Sequence, residues 1–275
     1  MKISRIEHPF LYNLNVLRHR LIWQLSEILS FKKFACEKTE IDLPFKIFTH
    51  KSVLIRKLGN SDVRLQQQKI KNLSLAAPTI HRVLIKPGET FSYWNLIGEP
   101  LARRGYVEGM LLSQGEVIAG VGGGLCQLAN LLYWMAIHTP LIITERHRHS
   151  FDAFPDSGRT LPFASGATVF YNYVDLQFRN DTEATFEIKV WLDDEFLRGE
   201  ILVDRQLPTR YHIVERDHQF FLDEKTGKTM RENKLFRQIV DVRTGKLIKE
   251  ELVCENVAEV KYPVSFSTCI PLTKN

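Results

Sequence analysis

The chain has 275 residues, 44% of them hydrophobic and 25% charged, a balance that is ordinary for a folded protein and excludes disordered or fibrous chains. Its formal net charge of +5 is too modest to indicate a nucleic-acid-binding protein, and we expect no nucleic-acid partner. The charge is unevenly placed, because residues 1–90 hold 16 Lys or Arg against 7 Asp or Glu, whereas the remaining residues hold 21 against 25.

An amphipathic helix is predicted from about Leu11 to Leu29. Its apolar residues recur at three- and four-residue spacing: Leu11, Leu14, Leu17, Leu21, Leu25 and Ile28. Arg18 and Arg20 lie on this helix, and Lys32 and Lys33 follow it. Such a helix packs on its own domain, the interpretation that we favour, or lies as a peripheral contact on an anionic membrane surface. The sequence does not separate these two interpretations.

The next elements alternate between helix and strand. A second helix is predicted to begin at Asn60 or Ser61 and to end or bend at Pro78. A strand over His81–Ile85 follows it, and later comes a helix over Leu125–His138 that is apolar on nearly every side and therefore buried. Further strands are predicted at the following ranges: Leu141–Thr144, Thr168–Tyr173 and Val174–Arg179.

From Glu183 onward the pattern changes to alternating strands separated by turns, with hairpin turns at Thr226-Gly227 and Thr244-Gly245. The sequence thus predicts an α+β fold in three parts: a basic N-terminal helical segment (1–59), a central α+β domain (60–182) and a smaller β-rich C-terminal domain (183–275). In the central domain, the buried helix is expected to pack on a mostly antiparallel sheet.

The four cysteines (Cys36, Cys126, Cys254 and Cys269) are too few for a disulfide scaffold and form no CxxC pair. The N-terminus shows no apolar core followed by a small-residue cleavage site, so no secretory signal is predicted. The most apolar stretch, Leu128–Ile143, is interrupted by polar residues and is short for a membrane span. We therefore expect a cytoplasmic protein with reduced thiols.

Cys126 is the first candidate for a catalytic residue. It opens the buried helix directly after Gly122, Gly123 and Gly124. The positive end of a helix dipole lowers the pKa of a thiol, and unpaired backbone amides there can form an oxyanion hole. Glycines also let a ligand approach the backbone closely. Gly122–Gly124 and Gln127 are therefore predicted to bind an oxyanion or another anionic group.

A thiol nucleophile needs a base, and His149, with His147 as second choice, is the candidate. Three acidic residues are alternative candidates for the group that orients the imidazole: Asp175, Asp152 or Glu145. An inert core cysteine is the commoner alternative. Cys126 with the two histidines has ligand types that suit a metal, but their spacing matches no closed zinc pattern, so we expect no metal and no cofactor.

Several blocks of the sequence, taken together, resemble the VanW family. They are Lys86–Ser92, Gly122–Leu128, Glu145–His149, Gly166–Thr168 and Asp175–Leu176, within a matching stretch from about Asn72 to Asn180. The chain is similar to the short members of this family, which lack export signals and cell-wall modules. The resemblance implies an association with glycopeptide resistance and with peptidoglycan or its precursors, but no established activity.

Two functions follow as expectations. The first is acyl transfer or amide hydrolysis through a thioester on Cys126, and the layout is similar to papain-like and transglutaminase-like thiol enzymes. Gln127 departs from the papain arrangement, because it follows the cysteine directly. The second is a non-catalytic accessory protein whose glycine pocket holds a carboxylate or phosphate of a small molecule or wall-related peptide. Tyr93 and Trp94 would then be candidates for stacking on the ligand, although packing in the core is their more frequent role.

Overall fold

The computed structural model describes residues 9–55, 63–113, 116–148, 151–153, 155–156, 160–171 and 173–264. Over these residues it contains four α-helices and fourteen strands, which confirms the α+β class. The helices are α1 (Pro9–Leu29), α2 (Val63–Ile80), α3 (Tyr93–Ile97) and α4 (Cys126–Ile137). The strands are β1 (Lys33–Phe34), β2 (Phe45–Val53), β3 (Val83–Ile85), β4 (Glu89–Ser92), β5 (Glu108–Ser113), β6 (Glu116–Val121), β7 (Ile142–Glu145), β8 (Phe151–Asp152), β9 (Gln177–Arg179), β10 (Phe186–Leu192), β11 (Phe196–Val203), β12 (Thr209–Asp223), β13 (Lys228–Asp241) and β14 (Leu247–Val260).

In the described part of the chain the strands form three four-stranded sheets and one hairpin. The sheet orders are β1-β4-β9-β7, β2-β11-β10-β3 and β12-β13-β14-β8, and β5 pairs with β6. Most of the pairings are antiparallel; β1 with β4 and β14 with β8 are parallel. Because β10 and β11 pair with β3 and β2, strands on both sides of the predicted boundary at residue 182 share one sheet. The three-part division of the chain stays a prediction.

The buried helix α4 lies at the centre of the main core. Nine of its residues, from Leu128 to Ile137, are buried, which agrees with the all-round apolar pattern of the sequence. Gly199 in β11 lets the helix approach the sheet, since a Cβ atom there would lie 2.6 Å from Met135 Sδ and 3.0 Å from Leu131 Cδ2. Close contact between α4 and this sheet fixes the direction in which the start of the helix points.

Some boundaries differ from the sequence prediction. Asn60 and Ser61, the predicted caps of α2, lie outside the described residues. Pro78 does not end the helix, which continues for two residues to Ile80; a proline this near the C-terminal end removes only one hydrogen bond. At Thr168 and Phe170, within the predicted strand Thr168–Tyr173, the described residues make isolated bridges, and the Phe170 amide donates to the Val174 carbonyl.

Helix α1 packs on the domain with a polar and aromatic face. Arg20 forms an ion pair with Glu99 at 3.3 Å, and its guanidinium lies over the Tyr171 ring. Glu27 accepts a hydrogen bond from Gln177 at 3.3 Å. The leucines of the helix whose exposure the structure describes lie outside these contacts and are exposed: Leu14, Leu17, Leu21, Leu25 and Leu29. The helix therefore packs on its own domain, as the favoured interpretation has it, but through its polar and aromatic face.

Three of the four strands of the C-terminal sheet, β12, β13 and β14, are long and joined by tight turns. Gly227 and Gly245 have φ values of 66° and 68°, as the predicted hairpin turns require. Arg237 in β13 ties this sheet to the centre of the molecule, because its guanidinium donates to the carbonyls of Thr139 and Leu141 at 2.9 and 3.3 Å. Both carbonyls lie just beyond the C-terminal end of α4.

Candidate functional site

Cys126 occupies the first turn of α4 and is partly buried. Its Sγ atom contacts Thr168 Oγ1 at 3.8 Å and the Val169 carbonyl at 3.7 Å. Burial raises the pKa of the Cys126 thiol, and this effect outweighs the hydrogen bonds that favour the thiolate. The thiol is consequently neutral near pH 7, whereas the sequence pattern predicts a lowered pKa.

The glycine loop before α4 is filled by residues of the protein itself. A Cβ atom on Gly124 would lie 2.0 Å from Lys69 Cγ, and one on Gly122 would lie 2.7 Å from Pro100 Cβ. Gly123 packs backbone to backbone against Gly109. The glycines thus permit close packing inside the domain, because atoms of other described residues occupy the Cβ positions of all three.

Asn72 and Gln127 hold this loop and the helix that follows it. The fully buried Asn72 donates from Nδ2 to the Gly123 and Val107 carbonyls and accepts from the Val107 amide. Gln127 donates from Nε2 to Ser52 Oγ at 2.9 Å and to the Val53 carbonyl at 2.8 Å. The side chain of Gln127 therefore clamps α4 to β2, and its backbone amide donates to the Gly124 carbonyl.

The structure brings three of the predicted residues into one cluster. His147 Nε2 lies 3.0 Å from Glu145 Oε1, and the same carboxylate oxygen accepts the Asp175 amide at 3.0 Å. Thr168, which contacts the sulfur of Cys126, donates its amide to the His147 carbonyl at 2.9 Å. His149, the predicted base, lies outside the described residues.

Asp175 is fully buried and accepts several hydrogen bonds. Its carboxylate accepts from Ser92 Oγ at 2.6 Å, from Gln177 Nε2 at 3.1 Å and from the amides of Trp94 and Leu176. Desolvation is the largest effect on this group and raises the pKa of Asp175 to about 6. The carboxylate organises the backbone at the start of α3, and none of its described partners is an imidazole.

The other sequence candidates have structural partners. Asp152 accepts from Arg231 at 2.9 Å and from Tyr262 at 2.8 Å, both on the C-terminal side of the molecule. Tyr93 donates its hydroxyl to the Leu125 carbonyl, and Trp94 donates Nε1 to the Val174 carbonyl. Both aromatic rings are buried. Among the described residues, the hydrogen-bond partners of Cys126 Sγ include no imidazole.

A cleft opens elsewhere, between β2, the end of α4 and the start of β12. Its volume is about 620 Å³. Its described lining includes four residues with basic side chains and none with an acidic one. The basic residues are Lys46, His138, Arg210 and His212. The other lining residues are Phe45, Ile47, Phe48, Gln206, Leu207, Thr209, Tyr211 and Val242. Lys46 is paired with Glu200 at 2.9 Å, whereas Arg210 forms no ion pair with any residue that the structure describes. The cleft therefore combines apolar walls with an available cation.

His138 gives the cleft a fixed hydrogen-bond acceptor. The ring stacks on Phe48 with centroids 4.1 Å apart, and Nδ1 lies 2.7 Å from the Trp134 carbonyl. The pKa of His138 is lowered to about 4, chiefly by burial and to a smaller extent by His50 and His212. The ring is neutral at pH 7, so Nδ1 carries the proton that it donates to the carbonyl, and Nε2 is an acceptor.

This cleft was not predicted from the sequence. In the sequence His138 is the last residue of the predicted buried helix, and none of the predicted site residues lies in the C-terminal strands. A weak signal was present, since Arg210, Tyr211 and His212 are consecutive at the start of a strand. The start of this strand and the end of α4 come together only in the tertiary fold, which the hydrophobic periodicity of the sequence does not predict.

Comparisons with known proteins agree with the resemblance noted above. A family model described as "VanW like protein" matches residues 68–202. The chain is 35% identical over 234 residues to the vancomycin B-type resistance protein VanW of Enterococcus faecalis, covering 85% of this chain and 83% of that protein. The chain belongs to the VanW family.

A second relative shares only part of this VanW-family chain. The uncharacterized protein YoaR of Bacillus subtilis is 31% identical over 112 residues, which is 40% of this chain and 34% of YoaR. No solved structure matches the chain. Within the described ranges, no cluster of three or more His, Cys, Asp or Glu residues is arranged to hold a metal ion. None of the described helices has the length and apolar character needed to cross a bilayer.

Proposed function

We propose that this VanW-family protein acts in glycopeptide resistance as a non-catalytic accessory protein that binds an anionic, wall-related ligand in the cleft beside His138. The name of the Enterococcus faecalis relative, a vancomycin B-type resistance protein, supports a role in glycopeptide resistance. The single observation that carries the binding role is the composition of the cleft, whose described lining holds basic residues and no acidic one.

The lining defines the chemistry of the ligand. Arg210 pairs with a carboxylate or phosphate, because a guanidinium forms strong charge-assisted hydrogen bonds with either group. His138 Nε2 accepts a hydrogen bond from a donor such as an amide N–H. Phe48 and Tyr211 cover an apolar part of the ligand. A peptide that ends in a free carboxylate after a small apolar residue satisfies all three requirements.

Calorimetry with an acetylated peptide ending in D-Ala-D-Ala tests the proposal, with the same peptide carrying a C-terminal amide as the matched control. We expect Arg210→Ala to weaken binding of the acid by roughly tenfold or more, because a charge-assisted hydrogen bond contributes about 1.5–3 kcal/mol. The amide-ended peptide should lose a similar factor on the wild-type protein and show no further loss on Arg210→Ala. Equal affinity of both peptides would contradict the proposed site.

A thiol enzyme is the second candidate function, supported by the chain of contacts from Cys126 through Thr168 to the His147–Glu145 pair. In this scheme His149 takes the proton of the Cys126 thiol and later protonates the leaving amine. The sulfur attacks a carbonyl to form a thioester, and water or an acceptor amine then releases the product. If His147 is the base instead, Glu145, 3.0 Å from its Nε2 atom, would orient the imidazole.

Two measurements distinguish the candidates. The exposed thiol of Cys36 is an internal reference for iodoacetamide labelling, and we expect Cys126 to label more slowly than Cys36 at pH 7.5, because its thiol is desolvated. Mass spectrometry of the peptide after incubation should recover it unchanged with wild type and with Cys126→Ser. A cleaved or transferred product that disappears in Cys126→Ser would instead establish the enzyme.

A further inference from the structure

The outer surface of α1 is an apolar stripe that the rest of the described structure leaves uncovered. The stripe consists of six residues that are each more than half exposed: Phe10, Leu14, Leu17, Leu21, Leu25 and Ile28. Their spacing of three and four residues places them on one side of the helix. A contiguous exposed apolar surface of this size marks a binding surface.

A second face of α1 contacts the domain and fixes the orientation of the helix. Arg20, Trp23 and Glu27 lie on the face that contacts the domain, through the ion pair with Glu99 and the hydrogen bond with Gln177. At 3.6 residues per turn, this inward face lies roughly 120° around the helix from the centre of the stripe. The helix therefore presents its apolar side outward while its polar and aromatic side holds it on the domain.

Charge and aromatic residues indicate what covers the stripe. Arg18 is exposed at the border of the stripe, four residues after Leu14 and three before Leu21, and residues 9–26 contain no Asp or Glu. Phe31, just after the helix, is 92% exposed and has a φ of 52°. A cationic border, an apolar face and an exposed aromatic residue at its end are typical of helices that lie in a membrane interface.

We propose that α1 lies on the surface of an anionic lipid bilayer, with the stripe inserted among the acyl chains near the headgroups and Arg18 beside the anionic phosphates. The remainder of the molecule stays in the aqueous phase. This proposal concerns the place where the protein works and is independent of the cleft and of its ligand.

Co-sedimentation of the full chain with vesicles tests the proposal. We expect binding to vesicles of 70% phosphatidylcholine and 30% phosphatidylglycerol, weaker binding to pure phosphatidylcholine, and a loss of the difference at high salt. The double variant Leu21→Gln, Leu25→Gln should partition at least about 20-fold less, since two leucine side chains no longer enter the apolar phase. Arg18→Gln should lower binding to the anionic vesicles about fivefold and leave binding to neutral vesicles unchanged.

The matched control is Ile248→Gln, an exposed apolar residue on the distant C-terminal sheet, which should bind vesicles like the wild type. Circular dichroism of each variant verifies that the fold is retained. Equal sedimentation of the wild type and the double variant would overturn the proposal. It would also be overturned by light scattering that shows a lipid-free dimer in the wild type and a monomer in the double variant, because the stripe would then be an interface between two copies.

Discussion

Glycine is required at position 124 for two reasons that substitution can separate. Its φ of 92° is a conformation that residues with a Cβ atom rarely adopt, and the Cβ position is occupied by the stem of Lys69. We expect Gly124→Ala to lower the free energy of unfolding by about 3 kcal/mol or more, the sum of backbone strain and displacement of a buried side chain. Urea unfolding followed by circular dichroism measures the change.

Gly227→Ala is the control for this substitution. Gly227 has a φ of 66° and nothing within 4 Å of its Cβ position, so only the backbone strain applies and the loss should be about 1 kcal/mol. Similar losses for both variants would mean that the Lys69 stem moves aside freely. A Gly124→Ala protein of wild-type stability would contradict the packing of the loop.

At the residue scale, the sequence located the special residues but not their roles. The run Gly122–Gly124 before Cys126 is visible in the sequence, and the left-handed backbone at Gly122 and Gly124 is consistent with it. Whether such glycines admit a ligand or an internal side chain depends on Lys69 and Pro100, which are distant in the sequence. The catalytic and binding assignments at this loop therefore stay predictions, and desolvation of the thiol is visible only in three dimensions.

At the scale of single elements, the strongest hydrophobic patterns gave the best predictions. The buried helix predicted over Leu125–His138 is observed as Cys126–Ile137, because a helix apolar on all sides has only the core to occupy. Helix α1 was also predicted well, over Leu11–Leu29 against Pro9–Leu29. The sequence did not predict which face of α1 packs on the domain, since amphipathicity does not distinguish a protein core from another apolar environment.

The end of α4 carries a prediction about pH. His138 has a pKa of about 4 in the folded protein and about 6.5 when unfolded. The folded state therefore binds the proton less readily, and stability is highest above pH 6.5 and declines as the pH falls toward 4. Between pH 7.5 and pH 4.5 the wild type should lose about 2 kcal/mol more stability than His138→Gln.

Urea unfolding of the wild type and of His138→Gln at several pH values measures this difference directly. Other titrating groups affect both proteins alike and cancel in the comparison. The ring is stacked on Phe48 and bonded to the Trp134 carbonyl. The difference in the free energy of unfolding between the two proteins therefore measures the cost of protonating an imidazole in this enclosed position. Parallel stability curves for the two proteins would show that water reaches the ring freely.

At the scale of the whole molecule, one buried guanidinium links two parts of the C-terminal sheet that are far apart in the sequence, the long strand β13 and the short strand β8. Arg231 in β13 is 1% exposed and lies between the rings of Phe163 and Phe220. Its guanidinium donates to Asp152 and Asp156 and, from Nε, to His218. The position of β8 in this sheet depends on the cluster, because a buried charge without its partner is costly.

We expect Arg231→Met to destabilise the protein by about 3–5 kcal/mol, since the buried Asp152 carboxylate loses its ion pair with this guanidinium. Adding Asp152→Leu to this variant should recover a large part of the loss, because the carboxylate is then removed as well. The exposed pair of Arg216 and Glu250, 2.8 Å apart, provides the control, and Arg216→Met should cost less than about 1 kcal/mol. Urea midpoints of the four proteins measure these differences. A double variant less stable than Arg231→Met would show that Asp152 contributes through its bond with Tyr262 rather than through the ion pair.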